Sequence, residues 1–289
     1  MQDIGLVLEG GGMKGLYTAG ALEFFMEQEL YFPYVIGVSA GACMAASYLS
    51  RQKDRNRKVN IDFVDDARFI SYSNLWKKRQ LFGMDFIFDE IPNKLVPFDF
   101  DTFLSSKEEL VVGTTDCATG KPVYYTKAED GHAMLTLIRA SSSLPFVAPS
   151  VSYKDKHLLD GGISDPIPVK KARADGFSKN VVVMTKPKDY RKKRSKFSSV
   201  MKMIYRKYPK ISEQLNQRYV TYNDTLDFME EEKQNDRLFV IQPSVDLEVS
   251  RAERDPAKLT SLYKLGYEDA KKQYASLQYF LNSHTPIHS

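Results

Sequence analysis

Cysteine is nearly absent from this chain: only Cys43 and Cys117 occur in 289 residues. Nothing in the sequence pairs them, so a disulfide framework is excluded, a reducing compartment is expected, and both read as small buried apolar residues. Histidine is almost as scarce, at His132, His157, His284 and His288. None sits in a glycine-rich setting, and two fall in the last six residues, where chain ends are usually mobile. No apolar run approaches the roughly 18 to 20 residues that a membrane span requires. The N-terminus, Met1-Gln2-Asp3, carries no basic region, and its apolar run is cut short by Glu9, so no signal peptide is expected. These absences point to a cytoplasmic chain with no metal and no other cofactor.

What is present is an ordinary globular composition, 43% apolar, long enough to bury a large core in one domain or a domain plus an appendage. Charge is unevenly placed. Eleven basic residues and one acid, Asp189, lie within Lys186–Lys210, interleaved with Tyr190, Phe197, Met201, Met203, Ile204, Tyr205 and Tyr208. Of the 41 basic and 37 acidic residues, 30 and 36 remain elsewhere, a net of −6. Such a stretch is a candidate for peripheral contact with an anionic membrane, a solvated basic loop being the plain alternative. No nucleic-acid-binding motif accompanies it, so no nucleic acid partner is expected.

Three glycine-rich stretches carry the chemistry. In Tyr34–Ala46, an apolar run enters Gly37-Val38-Ser39-Ala40-Gly41 and leaves as a small-residue helix. Glycines two before and two after the serine allow a sharp strand-to-helix turn that holds the hydroxyl out at the sheet edge. The helix behind it aims free N–H groups and its positive end at the same place, which suits an oxyanion. Further upstream, Leu6-Val7-Leu8 breaks into Glu9-Gly10-Gly11-Gly12-Met13-Lys14-Gly15. Gly10, Gly12 and Gly15 satisfy G-x-G-x-x-G, but the acid a dinucleotide site wants about 20 residues on is missing, since none lies between Glu29 and Asp54. The better reading is a loop donating N–H groups to an anion beside Ser39. Third, Leu158-Leu159 delivers Asp160 into Gly161-Gly162. A serine nucleophile needs a base, and with histidine poorly placed, Asp160 is the candidate.

Together these stretches resemble the patatin-like phospholipase family, lipid acyl hydrolases that use a Ser–Asp dyad. Gly10–Gly15 stands where that family has its G-G-G-x-[RK]-G oxyanion loop, Ser39 within Gly37–Gly41 stands at the nucleophile, and Asp160-Gly161-Gly162 matches D-G-[GA]. Arg139-Ala140-Ser141-Ser142-Ser143-Leu144-Pro145-Phe146 looks like the family's A-S-x-x-x-P segment. The match runs from about Ile4 to Met184. Two departures are visible: Lys14 stands where arginine is commoner, losing a bidentate fork, and Asp165-Pro166-Ile167-Pro168 replaces N-x-P. The resemblance implies a three-layer α/β/α fold with a mostly parallel central sheet. It also implies cleavage of lipid carboxylic esters by attack of Ser39 with Asp160 as base, N–H groups of Gly10, Gly11, Gly12 and Ala40 forming the oxyanion hole, and Lys14, Gly15, Gly37, Gly41, Gly161 and Gly162 supporting it.

Along the chain, strands are expected at Ile4–Leu8, Tyr34–Gly37, Val181–Met184 and Leu238–Ile241, and a hairpin at Glu109–Thr115 and Val123–Thr126. Helices are expected over Leu16–Gln28, Ala40–Arg51, Asp62–Ser71, Ala133–Ala140 and Pro256–Leu281. Strand–helix alternation implies a parallel sheet covered on both faces, with Gly10, Ser39 and Asp160 at the carboxyl ends of its strands. Trp76–Phe103 reads as irregular and aromatic: Trp76, Phe82, Phe86, Phe88, Phe98, Phe100 and Phe103 either close a core or line a groove for an acyl chain. The domain reading is one unit over 1–289, with a core at about 4–185, a basic helical excursion at about 186–235, and a returning strand and helix at about 236–283. Two other functions fit the residues: an α/β-hydrolase-type esterase with a Ser39–Asp160–His284 triad, and a lipid- or nucleotide-binding module without catalysis.

Overall fold

The computed structural model describes residues 3–71, 81–145, 148–194 and 205–283. Trp76, Phe146, His284, His288 and 195–204 of the basic stretch, with Phe197, Met201, Met203 and Ile204, lie outside the described residues. The strands are β1 (Ile4–Leu8), β2 (Tyr34–Val38), β3 (Glu109–Asp116), β4 (Pro122–Thr126), β5 (Val151–Tyr153), β6 (Lys156–Asp160), β7 (Lys179–Val183) and β8 (Leu238–Ile241). Among the helices are α1 (Leu16–Glu27), α2 (Ala40–Leu49), α3 (Met134–Ser141), α4 (Val169–Ala174), α5 (Pro209–Gln234) and α6 (Pro256–Asn282). Strands β3, β2, β1, β7 and β8 lie side by side and parallel, so the sheet is mostly parallel as expected.

Because strand side chains alternate between faces, each apolar strand feeds two cores. Leu6, Leu8, Val35, Leu110, Val112, Val181 and Val183 pack with α1, α2 and α6 on one side. Val7, Ile36, Val111 and Val182 face Ile167, Val169 and Ala172 around α4 and Tyr222 and Met229 of α5 on the other. This is the α/β/α sandwich. Helices α1 and α6 approach closely at Gly20 and Gly266, where an added Cβ would overlap the facing backbone at Tyr263 and Tyr17.

The registers on β3 decide the site. Strand β4 pairs with Val111–Thr115, β2 with Glu109–Gly113, and β6 with Thr114–Asp116. Both β2 and β6 overlap β4 along β3, so both must occupy the opposite edge. There they meet head to head, Val38 against Gly113 and Asp160 against the next residue, Thr114. The strand carrying Asp160 is therefore antiparallel to its neighbour, not one of the parallel set.

Two local readings are corrected. The helix expected over Asp62–Ser71 is replaced by a wide π-helical turn at Lys58–Asp62 followed by turns. Here Asp66 accepts the Arg68 N–H at 2.8 Å, and such a side-chain bond competes with helix formation. The region expected to be irregular contains a wide π-type helix at Phe86–Leu95, with Pro92 inside, and a short helix at Phe100–Ser105 capped by Asp99. A proline has no N–H to complete the α pattern, which fits the widened coil. Among its described residues the basic excursion is helical over α5, and 186–194 and 205–208 before it form no helix.

Candidate active site

Ser39 links β2 to α2 with φ 52° and ψ −125°, a conformation unfavourable for any residue with a Cβ. The turn is pinned at both flanks. A Cβ on Gly37 would stand 2.8 Å from Ala42 N, so α2 can fold back over β2 only because this position is glycine. One on Gly41 would overlap the Leu8 carbonyl oxygen, so β1 can lie against the turn only because that position is glycine. Ser39 N–H donates to Ser141 Oγ at 2.8 Å, and that hydroxyl donates to Gly113 O at 2.6 Å. Ser39 is 7% exposed.

Asp160 reaches the same point from the other end of β3's edge. Its N–H donates to Ser143 O at 2.9 Å, so one serine segment holds both residues: Ser141 the turn and Ser143 the aspartate. Asp160 Oδ1 accepts the Gly162 N–H at 2.7 Å, while Oδ2 is buried with no hydrogen bond of normal geometry. Burial pushes the carboxyl above the usual carboxylate range; the Arg218 charge, the Ser39 hydroxyl, the Gly162 N–H and Arg251 pull the other way. The serine hydroxyl thus lies within electrostatic reach of a carboxylate whose second oxygen lacks an aligned donor, and such contacts often tighten only when substrate binds.

The glycine loop follows β1. Gly12 has φ +58° and packs against Arg251 O, which accepts the Met13 N–H at 3.0 Å. Gly15 fits against Ala40, where a Cβ would come within 2.6 Å of the alanine Cβ, so loop and turn are in direct contact. Among the described residues, no acceptor takes the N–H groups of Gly10, Gly11, Gly12 or Ala40. The first three glycines line a recess with Ser39 and Asp160. Lys14 is partly buried and does not line it.

Two recesses meet at Ser39. One, about 400 Å³ counting space open to solvent, is polar and holds Lys186, Lys192, Arg218 and Arg251 beside the glycine loop. The other, about 520 Å³ on the same measure, is lined by Met13, Ala40, Cys43, Met44, Phe69, Phe82, Met84, Ile87 and Phe88. It runs on past Cys43, Ile87 and Phe88 into a further apolar space ending near Phe98 and Leu135. Of the aromatic region, Phe86, Phe98 and Phe103 are core, while Phe82 and Phe88 line the recess. Burial pushes the Cys43 thiol up to about 11, so at neutral pH it is an inert lining group, as expected.

Sequence reasoning missed several of these residues. Arg218 on α5 and Arg251 before α6 carry no local motif, and Lys186 and Lys192, read as surface, turn inward. Glu9 was read only as the end of an apolar run; it is 2% exposed and ties the walls together, accepting from Thr185 N at 2.5 Å, Thr185 Oγ1 at 2.8 Å and Tyr222 OH at 2.7 Å. Ser141 lay in a recognised segment, but its bond to the turn had no signature. Among the described histidines, His132 and His157 are exposed and line neither recess.

Among solved structures, VipD from Legionella pneumophila superposes with a TM-score of 0.49 at 13% identity, covering 96% of this chain and 67% of that one. The type III effector ExoU superposes with a TM-score of 0.45 at 12% identity, over 98% and 54%. By sequence, the uncharacterized protein YjjU of Escherichia coli K12 is 30% identical over 98% of this chain and 80% of its own. Lysophospholipase NTE1 of Lodderomyces elongisporus is 25% identical over 94% of this chain, which spans only 19% of that larger protein. Residues 208–282 match a domain of unknown function, DUF6363. Residues 6–173, containing the turn at Ser39, the glycine loop and Asp160, match the patatin-like phospholipase family, and the chain belongs to that family of lipid acyl hydrolases.

Proposed function

We propose that the protein hydrolyses carboxylic esters of lipids through an acyl-enzyme on Ser39, as a phospholipase A or lysophospholipase. The observation that carries this reading is the head-to-head meeting of β2 and β6, which brings the Ser39 hydroxyl to a buried carboxylate with an unsatisfied oxygen. Ser39 Oγ attacks the ester carbonyl carbon and Asp160 takes its proton. The N–H groups of Gly11, Gly12 and Ala40, with Gly10 beside them, hold the tetrahedral oxyanion, helped by the positive end of α2. Collapse breaks the C–O bond, and Asp160 returns the proton to the departing alcohol. Water then clears the acyl-enzyme along the same path, its proton passing to Asp160 and from there to Ser39. A carboxylate is a weak base for an alcohol at its ordinary pKa of about 3.9, so a raised pKa moves Asp160 toward the task. The apolar recess takes the acyl chain. Lys14, outside the recess, supports the loop, as do Gly15, Gly37, Gly41, Gly161 and Gly162 at their close approaches.

The test is labelling by a fluorophosphonate probe together with turnover of p-nitrophenyl esters, lysophospholipids and phospholipids. Ser39→Ala and Asp160→Asn each remove activity, and because both groups serve one proton transfer, the double variant is little worse than either. Multiplying losses would overturn the dyad.

Peripheral membrane contact through the basic stretch belongs to the same reading. Lys188, Lys193, Arg194, Arg206 and Lys207 are exposed, and near an anionic surface each such cation contributes about 1 kcal/mol, while the exposed Arg191 and Lys210 are paired with Asp227 and Glu213. Co-sedimentation with anionic vesicles should fall with salt, and fall further when Arg191, Lys193 and Arg194 are changed to Gln; salt-independent binding refutes it.

A further inference from the structure

Four basic side chains share one recess with only two carboxylates among the described residues, Glu9 and Asp160, and this excess of positive charge calls for an explanation. Among the described residues, Lys186, Lys192, Arg218 and Arg251 form no ion pair, although 14 other pairs are present. The acids that share the recess, Glu9 and Asp160, relieve them only in part. Asp160 and Glu9 attract Arg218, and Glu9 attracts Lys186 and Lys192, but two carboxylates face four basic groups and, among the described residues, none is in direct ion-pair contact. Glu9 is satisfied by Thr185 and Tyr222, and Asp160 by Gly162 on one oxygen. Arg218 donates its Nε–H to Gly162 O, which leaves its terminal nitrogens free of hydrogen bonds within the described protein. Burial holds Lys186 down to about 8 against the pull of Glu9, and burial with repulsion from Arg218, Arg251 and Lys186 holds Lys192 down to about 7. Like charges gathered in a partly buried space cost free energy unless an anion joins them.

The position of this cluster identifies the anion. It lines the polar recess with Ser39 and Asp160, and the apolar recess meets that one at Gly12, Ser39 and Leu144. An ester whose carbonyl lies at Ser39 and whose acyl chain fills the apolar recess has the polar recess, with its cations, as the lined space left for its alcohol part. Two arginines present forked donors suited to phosphate oxygens, and the lysines add point charge. Two of the four, Arg218 and Arg251, come from the segment matched by the domain of unknown function, as does Tyr222, which anchors Glu9. The same segment seats the glycine loop, through Arg251 O and Met13 N–H.

We propose that Lys186, Lys192, Arg218 and Arg251 form a phosphate-binding subsite on the leaving-alcohol side of Ser39, and that residues 208–282 complete it. The leaving group is then a glycerophosphate head of a lysophospholipid or phospholipid. This deepens the ester-hydrolase reading, on which its substrate assignment rests.

The experiment compares 1-acyl-lysophosphatidic acid with the 1-monoacylglycerol of the same chain, both below their critical micelle concentrations. The scissile ester is identical and only the phosphate differs. Wild type should favour the phosphate-bearing substrate in kcat/KM by about tenfold or more, the scale of one or two charge-assisted hydrogen bonds. In Lys192→Gln/Arg251→Gln that ratio should fall toward one, with Arg251→Lys intermediate and melting temperatures showing the variants folded. No preference in wild type, or a preference surviving the double variant, overturns the subsite while leaving the hydrolase reading intact. Inorganic phosphate that competes with both substrates, without any preference for the phospholipid, reassigns the recess to free anion and overturns the head-group assignment. Calorimetric titration of glycerol 3-phosphate into Ser39→Ala reads the site without turnover. Binding lost in Ser39→Ala/Lys192→Gln/Arg251→Gln supports the subsite even if no ester is hydrolysed, and no binding by Ser39→Ala overturns it.

Discussion

Replacing Asp160 by asparagine should destroy activity and stabilise the fold. Asp160 is 1% exposed, and among the described residues one carboxylate oxygen has no hydrogen bond of normal geometry. A buried polar atom left unsatisfied costs about 1–3 kcal/mol. The opposing contribution is the attraction of Arg218, which the neutral amide forfeits. Burial is the larger of the two, since it raises the carboxyl's pKa despite that attraction, so the net gain from Asp160→Asn is on the order of 1 kcal/mol. The amide can keep the Gly162 bond through its oxygen and donate to Ser39 through its nitrogen. The pH dependence follows from the sign of the shift. A carboxyl whose pKa is raised by folding contributes stability below its unfolded pKa and loses it as pH rises through the folded value. The advantage of the variant is thus full at neutral pH and shrinks on acidification, as wild-type Asp160 takes up its proton. At pH 7 the melting temperature should rise by about 2–4 °C for 1 kcal/mol, or less for a chain this long. Differential scanning calorimetry at pH 7 and pH 4.5 measures both. A variant less stable than wild type at pH 7, or one whose advantage grows as pH falls, refutes the electrostatic account of the site.

The strained turn makes a further contrast. Ser39→Gly should be more stable than Ser39→Ala by about 1 kcal/mol, since glycine accepts φ 52° and ψ −125° without the Cβ penalty; equal denaturation midpoints would mean the turn stores no strain. In the same acid range, the acid limb of kcat/KM should lie above that of an unperturbed aspartate, because burial raises Asp160; a limb at the ordinary carboxylate value would show the base to be solvated. Where α1 meets α6, Gly266→Ala would overlap the Tyr17 backbone and disturb the Tyr17–Asp269 hydrogen bond of 3.1 Å, so a loss of about 1–3 kcal/mol is expected in urea titration; a neutral outcome would mean the helices separate freely.

Much of the site was legible because its chemistry depends on local backbone needs. A turn that passes close to a neighbouring strand requires glycine at fixed offsets from the serine, so Gly37-Val38-Ser39-Ala40-Gly41 stands out in the sequence, as do Gly10-Gly11-Gly12 and Asp160-Gly161-Gly162. Strand periodicity and apolar runs likewise marked β1, β2, β7 and β8, because a strand buried on both faces must be apolar throughout. The helix expected over Asp62–Ser71 failed where an aspartate bonded its own neighbouring backbone instead.

The sequence by itself determined the candidates for the chemistry: a serine, an aspartate and a loop of glycines, each set in a short run whose spacing meets a local backbone need. Only the tertiary structure decided what they meet. That β6 runs against β2 on a shared edge of β3, that Ser141 and Ser143 brace both members of the pair, and that Arg218 and Arg251 arrive from 58 and 91 residues beyond Asp160 are facts of register and packing. Single cations on a long helix and in a loop carry no pattern of their own. Their meaning comes from the recess they share, which exists only once the sheet and its two helical layers have closed around it.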